Sequence, residues 1–495
     1  MGGRRLMGVD WLLTADRGSP WSRLRVVVAG IGLSGFAAAD ALVHLGAAVT
    51  VLDQRAGDEE REKATVLEIL GARVELGPGS AARLPADVDL VVTSPGWRPD
   101  APLLAEAAGR GVPVWGEVEL AWRLRDRERD APWLCVTGTN GKTTAVQMLW
   151  SMLRAAGLRA AAAGNVGTPL LEAVMHPEPY DVLAVELSSF QLHWTHTMSA
   201  QAAVVLNVAE DHVDWHGSMQ AYARDKGRIY EHAQRACVYN VEDPQTEQLV
   251  RAADVVEGCR AVGFTMGVPS VGMVGVVDGM LADRAFVDDR ESHAAELGRV
   301  EDVRPAAPHN VANALAAAAL ARAHGLPPPA VRAGLRDFTP DAHRIATVAE
   351  LAGVHYVDDS KATNPHAAAA SLSAYDSVVW VAGGLAKGAA FDDLVRRVGD
   401  RLRAVVLIGA DRSVIADALA RHAPDVRVID VADTETDAMD RVVREAAGAA
   451  RTGDTVLLAP GCASMDMFVN YAARGDAFAA AVRRLGGGPS SIRGA

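Results

Sequence analysis

Val136-Thr137-Gly138-Thr139-Asn140-Gly141-Lys142-Thr143-Thr144 is the stretch that decides the fold of this chain. It follows an apolar run, Trp133 to Val136, and precedes residues compatible with a helix. Strand, tight glycine loop and helix start together are what a nucleoside triphosphate requires. Glycines let successive backbone N–H groups turn toward phosphate oxygens, Lys142 puts a positive charge near the β- and γ-phosphates, and the Thr143 hydroxyl can reach Mg2+. The general pattern G-x-x-x-x-G-K-[ST] would place its first glycine at Val136, so the loop is a variant form. A glycine-rich turn carrying a solvated lysine is the plain alternative, and the flanking strand and helix speak against it.

Upstream, Leu24 to Arg55 reads β-α-β: Val26-Val27-Val28, the turn Gly30-Ile31-Gly32-Leu33-Ser34-Gly35, an alanine-rich helix, then Val49-Thr50-Val51-Leu52 ending at Asp53. This is a G-x-G-x-x-G fingerprint followed by an acid about 20 residues on. Taken alone it suggests a dinucleotide dehydrogenase, in which Asp53 would hold ribose hydroxyls; the same turn can hold any diphosphate at the helix N-terminus. A further strand, Leu90-Val91-Val92, runs into Thr93-Ser94-Pro95-Gly96, at the carboxyl end of a strand where ligands of open α/β sheets bind.

Downstream of the phosphate loop, strands are expected at Val182 to Leu187, Ala203 to Asn207 and Ala236 to Tyr239. Two of them end in polar runs, Glu186-Leu187-Ser188-Ser189 and Asn207-Val208-Ala209-Glu210-Asp211-His212. A third block from near Arg344 alternates helical stretches with strands at Val354 to Val357, Val378 to Val381, Val405 to Ile408, Val426 to Ile429 and Thr455 to Leu458. The expected architecture is therefore α/β in three domains. Residues 1–23 read as a flexible extension, 24–116 as a Rossmann-like amino-terminal domain, 117–341 as a P-loop ATPase-type central domain and 342–495 as a Rossmann-like carboxyl-terminal domain.

Bulk properties narrow the function. A chain of 495 residues exceeds a single core. A formal net charge of −13 argues against affinity built on neutralising a nucleic-acid backbone, while anionic small substrates remain open to local loops and helix N-termini. No apolar run is long enough for a membrane span. Cys135, Cys237, Cys259 and Cys462 form no C-x-x-C pair and no zinc spacing, so a reducing cytoplasm is expected. Met1 to Arg23 lacks the apolar core of a secretory signal.

With these pieces in order, the chain resembles the Mur ligases, ATP-dependent amide-forming enzymes of peptidoglycan precursor assembly. The resemblance covers about Leu24 to Leu485. T-G-T-N-G-K-T-T is the form shared with folylpolyglutamate synthetases, which lack the amino-terminal β-α-β domain. Gly30 to Gly35, Glu186-Leu187-Ser188-Ser189-Phe190-Gln191-Leu192, Asp359-Ser360-Lys361-Ala362-Thr363-Asn364, and Cys462 to Phe468 with Arg474-Gly475 are most similar to the D-glutamate-adding branch. The resemblance implies ATP, D-glutamate and UDP-N-acetylmuramoyl-L-alanine as substrates, an acyl-phosphate intermediate and Mg2+ at two sites. Nucleic acid has no part in it.

Residue by residue, the resemblance implies UDP-substrate contacts at Gly32, Leu33, Ser34, Gly35, Asp53, Gln54, Arg55, Ser94, Gly96 and Asn165. ATP would meet Gly138, Thr139, Asn140, Gly141, Lys142, Thr143, Thr144, Asn310, Asn313, Arg344 and Asp359. Metal would meet Thr143, Glu186, His212 and Lys226, the last as a carbamate, whereas by charge pattern alone Lys226 belongs to a solvated helix face. D-glutamate would meet Thr363, Lys387, Ser464 and Tyr471. Lys142, His212, Lys226 and Arg344 are the expected catalytic groups. A nucleotide-dependent switch or binding module is the rival of a different class, and D-glutamate-dependent phosphate release separates the two.

Overall fold

The computed structural model describes residues 10–432 and 438–487, with three sheets along the chain. The first contains β1 (Arg25–Ala29), β2 (Ala48–Asp53), β3 (Arg73–Leu76), β4 (Leu90–Thr93) and β5 (Val114–Gly116), all parallel in the order 3-2-1-4-5. The second contains β6 (Trp133–Thr137), β7 (Ala160–Gly164), β8 (Val182–Glu186), β9 (Ala202–Val205), β10 (Ala236–Asn240), β11 (Arg260–Phe264), β12 (Met273–Val277), β13 (Met280–Asp283) and β14 (Ala295–Arg299). Its order is 14-13-12-11-10-9-6-8-7, with antiparallel pairing only between β12, β13 and β14. The third contains β15 (Ala346–Leu351), β16 (Val354–Asp358), β17 (Val378–Gly383), β18 (Leu402–Ile408), β19 (Arg427–Asp430) and β20 (Thr455–Leu458), in the order 15-16-20-17-18-19.

The central strands of each sheet are continuous apolar runs because both faces are covered. Every residue of β6, β8 and β17 is buried, including the terminal Glu186. In the second sheet β6 lies between β8 and β9, so the loop leaving β6 opens beside the carboxyl ends of both. Helix Lys142–Ala155 continues that loop. Helix Pro328–Asp337 packs against it so closely that a Cβ on Gly334 would come within 2.3 Å of the Met152 Cα, and Ser151 donates to the Gly334 carbonyl at 2.7 Å.

Two compact units result. One ends at Val303 and takes in Ala312–Phe338, so it holds the first two sheets; the other comprises Arg304–Val311 and the chain from Thr339 onward. The sequence reading separated 24–116 from 117–341. Helix Glu117–Leu124 explains why the two sheets cluster: it follows β5 directly and is buried along its whole length, touching helix Leu170–Val174 of the second sheet.

Residues 10–23 correct the expectation of a flexible extension, and residues 1–9 lie outside the described residues. Leu12, Ala15 and Trp21 are buried in the core, and the Trp21 ring packs edge-on against Trp11 and Trp115. Arg123 holds the segment: its guanidinium donates to the Leu12 carbonyl at 2.6 Å and the Leu13 carbonyl at 3.1 Å, and pairs with Glu119 at 2.7 Å. Burial alone would raise the Glu119 pKa, but the Thr197 hydroxyl, the His196 and Thr197 N–H groups and Arg123 hold it below its ordinary range. The signal was absent from the sequence because segment and anchor are about a hundred residues apart. Arg123→Ala leaves a buried carboxylate without its counter-charge, and the expected loss is about 3–5 kcal/mol of stability in urea unfolding. A change under about 1 kcal/mol would show that this pair does not anchor the segment.

Candidate functional site

The glycines of the phosphate loop are there for backbone geometry. Gly141 has φ 85° and caps the helix without a side chain, and a Cβ on it would sit 2.3 Å from Asn313 Oδ1. Gly138 has φ 158°. The loop is tied to the end of β9: the Asn140 N–H donates to Asn207 Oδ1 at 2.9 Å, the Asn207 amide returns to the Asn140 carbonyl at 3.1 Å, and Thr139 N–H donates to the Asn207 carbonyl at 3.0 Å. Thr139 Oγ1 also meets the Tyr222 hydroxyl at 3.0 Å and the Ala209 N–H at 2.9 Å. Lys142 folds back onto the Gly138 and Thr139 carbonyls, each at 2.9 Å. Thr143 is half-buried and Thr144 buried on the first turn of the helix.

Lys226 comes to the same loop from helix Met219–Gly227. It is 1% exposed, which overturns the solvated-face reading, and donates to the Gly138 carbonyl at 2.8 Å. Burial, with Lys142 nearby, drives its pKa well below the ordinary lysine range. Glu186, at the end of β8, is 1% exposed; Oε1 accepts from the Asn165 amide at 2.8 Å, while Oε2 is buried without a partner. Asn165 is thus engaged with Glu186 in this state. His212 has φ 52° and a half-exposed ring lying edge-on to Phe190 at 4.8 Å; burial, Lys142 and Lys226 lower its pKa while Asp211 opposes them.

A network that sequence reasoning missed braces this region. Asp225 accepts from His193 at 2.8 Å and from His216 at 2.9 Å, and the other His216 nitrogen meets Ser189 Oγ at 3.0 Å. Burial would raise Asp225, yet the two imidazoles bring it down to about 2. It joins the helix carrying Lys226 to the helix that follows Glu186. No periodicity links these four positions, so no pattern in the sequence could have joined them.

In the first sheet, Gly30 (φ 97°) and Gly35 approach so closely that a Cβ on Gly35 would lie 1.9 Å from the Gly30 carbonyl oxygen. Ser94 Oγ is buried beneath them without a partner. Asp53 is 3% exposed and fully committed: its oxygens accept from the Ile31 N–H at 2.9 Å, the Arg55 N–H at 2.9 Å and the Arg55 guanidinium at 3.2 Å. Its place is in shaping the turn, which leaves the exposed Arg55 guanidinium near Gly32. Leu33, Gln54 and Gly96 are exposed around the turn, and Ser34 is half-buried.

In the second unit, Asn310 is buried with its amide on the Pro305 carbonyl at 3.2 Å. Asp359 faces inward to the Ser371 hydroxyl and the Ile345 N–H, and burial pushes it up to about 6 despite Arg344 nearby. The turn bearing Lys387 (exposed, φ 51°) is bridged to the loop of Ser464 by paired bonds between Leu385 and Ala463 at 2.9 and 3.0 Å. Buried Arg474 braces that loop, donating to the Cys462 carbonyl at 3.1 Å and to the Ser360 hydroxyl and carbonyl at 3.0 and 2.9 Å. Tyr471 carries Lys361 Nζ 4.0 Å from its ring centre, two residues from Thr363.

Residues 24–116 match the Mur ligase MurD-like N-terminal domain, 136–321 the Mur ligase middle domain, and 343–462 the Mur ligase glutamate ligase domain. The UDP-N-acetylmuramoylalanine–D-glutamate ligase of Streptomyces avermitilis is 64% identical over 468 residues, covering 94% of this chain and 99% of that protein. Among solved structures, the UDP-N-acetylmuramate–alanine ligase MurC of Thermotoga maritima aligns with a TM-score of 0.54 at 18% identity, over 94% of this chain and 100% of that one. The MurF ligase of Thermotoga maritima in complex with ADP aligns at 0.53 and 16% identity, over 96% and 99%. Three domain matches in chain order, and a relative alike across nearly its full length, place this chain in the Mur ligase family.

Proposed function

We propose that this chain is the ATP-dependent ligase that joins D-glutamate to UDP-N-acetylmuramoyl-L-alanine, an ADP-forming step of peptidoglycan precursor synthesis carried out in the cytoplasm. The observation that carries the reading is the Gly138 loop, where Lys142 and buried Lys226 converge on one carbonyl, while Glu186, whose Oε2 is unpartnered, ends the strand paired with the one that feeds the loop. Likeness to the 64% identical D-glutamate ligase supports the choice of substrates. Among the described residues no helix is long and apolar enough to cross a membrane.

In the proposed reaction the alanyl carboxylate attacks the γ-phosphorus of ATP and ADP leaves. The D-glutamate amine then attacks the acyl carbon, loses a proton and expels phosphate. Negative charge builds in both steps, and fixed donors and cations answer it. Gly138 to Thr144 with Asn313 would cradle ATP, and Asn310, Arg344 and Asp359 are the ATP contacts proposed in the second unit. Thr363, Lys387, Ser464 and Tyr471 would hold D-glutamate. Gly32 to Gly35, Asp53, Gln54, Arg55, Ser94, Gly96 and Asn165 would hold the UDP-sugar, Asp53 also shaping the turn through its bonds to Ile31 and Arg55.

Mg2+ would neutralise the phosphate oxygens. Among the described residues no group of three His, Cys, Asp or Glu side chains could hold a metal alone. The residues fit an ion that keeps waters and phosphate oxygens: Glu186 has a buried oxygen to give, Thr143 a hydroxyl, His212 a half-exposed ring. Lys226 would join as a carbamate. Its depressed pKa makes the neutral, CO2-reactive amine accessible, and that fraction grows as pH rises.

Phosphate release from ATP with UDP-N-acetylmuramoyl-L-alanine should depend on D-glutamate and drop by orders of magnitude with L-lysine, whose side chain lacks a carboxylate, or with meso-diaminopimelate, whose second carboxylate lies two carbons further out and beside an ammonium. Comparable turnover with either would overturn the acceptor assignment. Gly141→Ala forces a side chain into left-handed backbone and into Asn313. A penalty of about 1–3 kcal/mol should lower the thermal midpoint by a few degrees, and the displaced loop should bind ATP more weakly in calorimetry. Lys226→Ala should lose at least about a hundredfold in kcat, and wild-type activity should fall in CO2-depleted buffer and return with bicarbonate. Near-normal turnover of the variant would remove the carbamate from the reading.

A further inference from the structure

Glu117 has no part in the chemistry above, yet it stands where two proposed substrate elements meet. It is the first residue of helix Glu117–Leu124 and is 3% exposed. Its Oε1 accepts from the Leu171 N–H at 3.1 Å, and the Leu170 N–H and the Ser34 hydroxyl lie close enough to the carboxylate to favour its charged form. Leu170 and Leu171 open helix Leu170–Val174, whose preceding Pro169 provides no side-chain cap; Glu117 supplies the acceptor those N–H groups lack. Ser34 lies on the first turn of helix Leu33–His44, capped at Gly32 without a side chain. Directly before Pro169 runs Asn165-Val166-Gly167-Thr168. One carboxylate therefore fastens the glycine turn of the first sheet to the segment carrying Asn165 in the second.

We propose that Glu117 is a positioning residue for the UDP-substrate, holding the Gly32–Gly35 turn and the Asn165 turn in register so that both address one diphosphate-linked sugar. The proposal rests on the UDP-sugar reading of that turn. Burial raises the Glu117 pKa to about 7, with Glu172 of helix Leu170–Val174 as the charged neighbour adding to the rise. All three donors favour the ionised carboxylate. Protonation turns one oxygen into a donor, so the brace weakens as pH falls through about 7.

The test is steady-state kinetics with all three substrates, using the full chain. Glu117→Gln should raise the KM for UDP-N-acetylmuramoyl-L-alanine about tenfold, the worth of one charge-assisted hydrogen bond, and leave the KM values for ATP and D-glutamate within about twofold. In the wild type that KM should climb below pH 7, and in Glu117→Gln the pH step should vanish. Glu117→Asp should recover most of the loss. The double variant with Ser34→Ala should lose less than the sum of the two single losses, because both remove one interaction. An unchanged KM in Glu117→Gln, or three KM values rising together as the thermal midpoint falls, would overturn the proposal. Calorimetry separates the levels: wild type failing to bind UDP-N-acetylmuramoyl-L-alanine sinks the substrate reading itself, whereas equal binding by wild type and Glu117→Gln sinks only the role of Glu117.

Discussion

Two lysines donate to one carbonyl oxygen, and much of the central site follows from that crowding. Lys142 and Lys226 reach Gly138 O at 2.9 and 2.8 Å from different helices. Two ammonium groups so close, one of them buried, cannot both be comfortable as cations in a low dielectric. Lys226 is fully buried, and burial, with Lys142 nearby, takes its pKa well below the ordinary lysine range. Any change that takes the positive charge off Lys226 relieves the strain. The proposed carbamate would go further, because it would replace a like charge beside Lys142 with an opposite one. The phosphates of a nucleotide would relieve Lys142 in the same way, so under that proposal nucleotide and modified lysine would each favour the other through the loop they share.

That arrangement needs a rigid frame, and the frame is made of buried charge. Asp225 clamps two histidines between the helix of Lys226 and the helix after Glu186. Glu119 and Arg123 pin residues 10–23 to the helix that joins the first sheet to the second. Such pairs are poor sources of net stability, since desolvation offsets most of the attraction. Their value is directional. A packed apolar contact tolerates sliding, whereas a carboxylate that accepts from backbone N–H groups and side chains at 2.7 to 2.9 Å has one arrangement, and losing it exposes an unpaired charge.

What the sequence made legible was local. The phosphate loop, the glycine turn at Gly30 to Gly35 and the valine-rich strands of all three sheets are written in consecutive residues, because glycine and β-branched positions impose backbone geometry by themselves. Residues 262 to 280, rich in Gly and Val, read as short strands at the rim, whereas the antiparallel pairing that runs from Met273 to Arg299 depends on partners rather than on composition. Residues 10–23 looked loose because their arginines and small residues carry no periodicity, and their anchor Arg123 is remote. Lys226 shows the limit most sharply. Its neighbours Arg224 and Asp225 give it the pattern of a solvated face, yet that face turns inward, with Tyr222 and Lys226 bonded to the loop and Asp225 to His193 and His216.

Asp53 shows how one fingerprint can serve two chemistries. A glycine turn with an acid at the end of the next strand suggests a ribose held by a carboxylate, and the backbone here fits that reading. The difference lies in what the carboxylate is already doing. With the Ile31 N–H, the Arg55 N–H and the Arg55 guanidinium all donating to it, Asp53 has its strong acceptor directions filled and is almost wholly out of water. A ribose would have to displace one of those donors. The exposed guanidinium that Asp53 holds beside Gly32 also pairs with Glu60 at 3.3 Å, and under the UDP-sugar reading it would turn with the helix N-terminus toward an anion. Under the UDP-sugar reading the turn would hold phosphate rather than ribose hydroxyls; the motif alone leaves dehydrogenase and ligase readings open, and the filled acceptor positions of Asp53 weigh against the ribose.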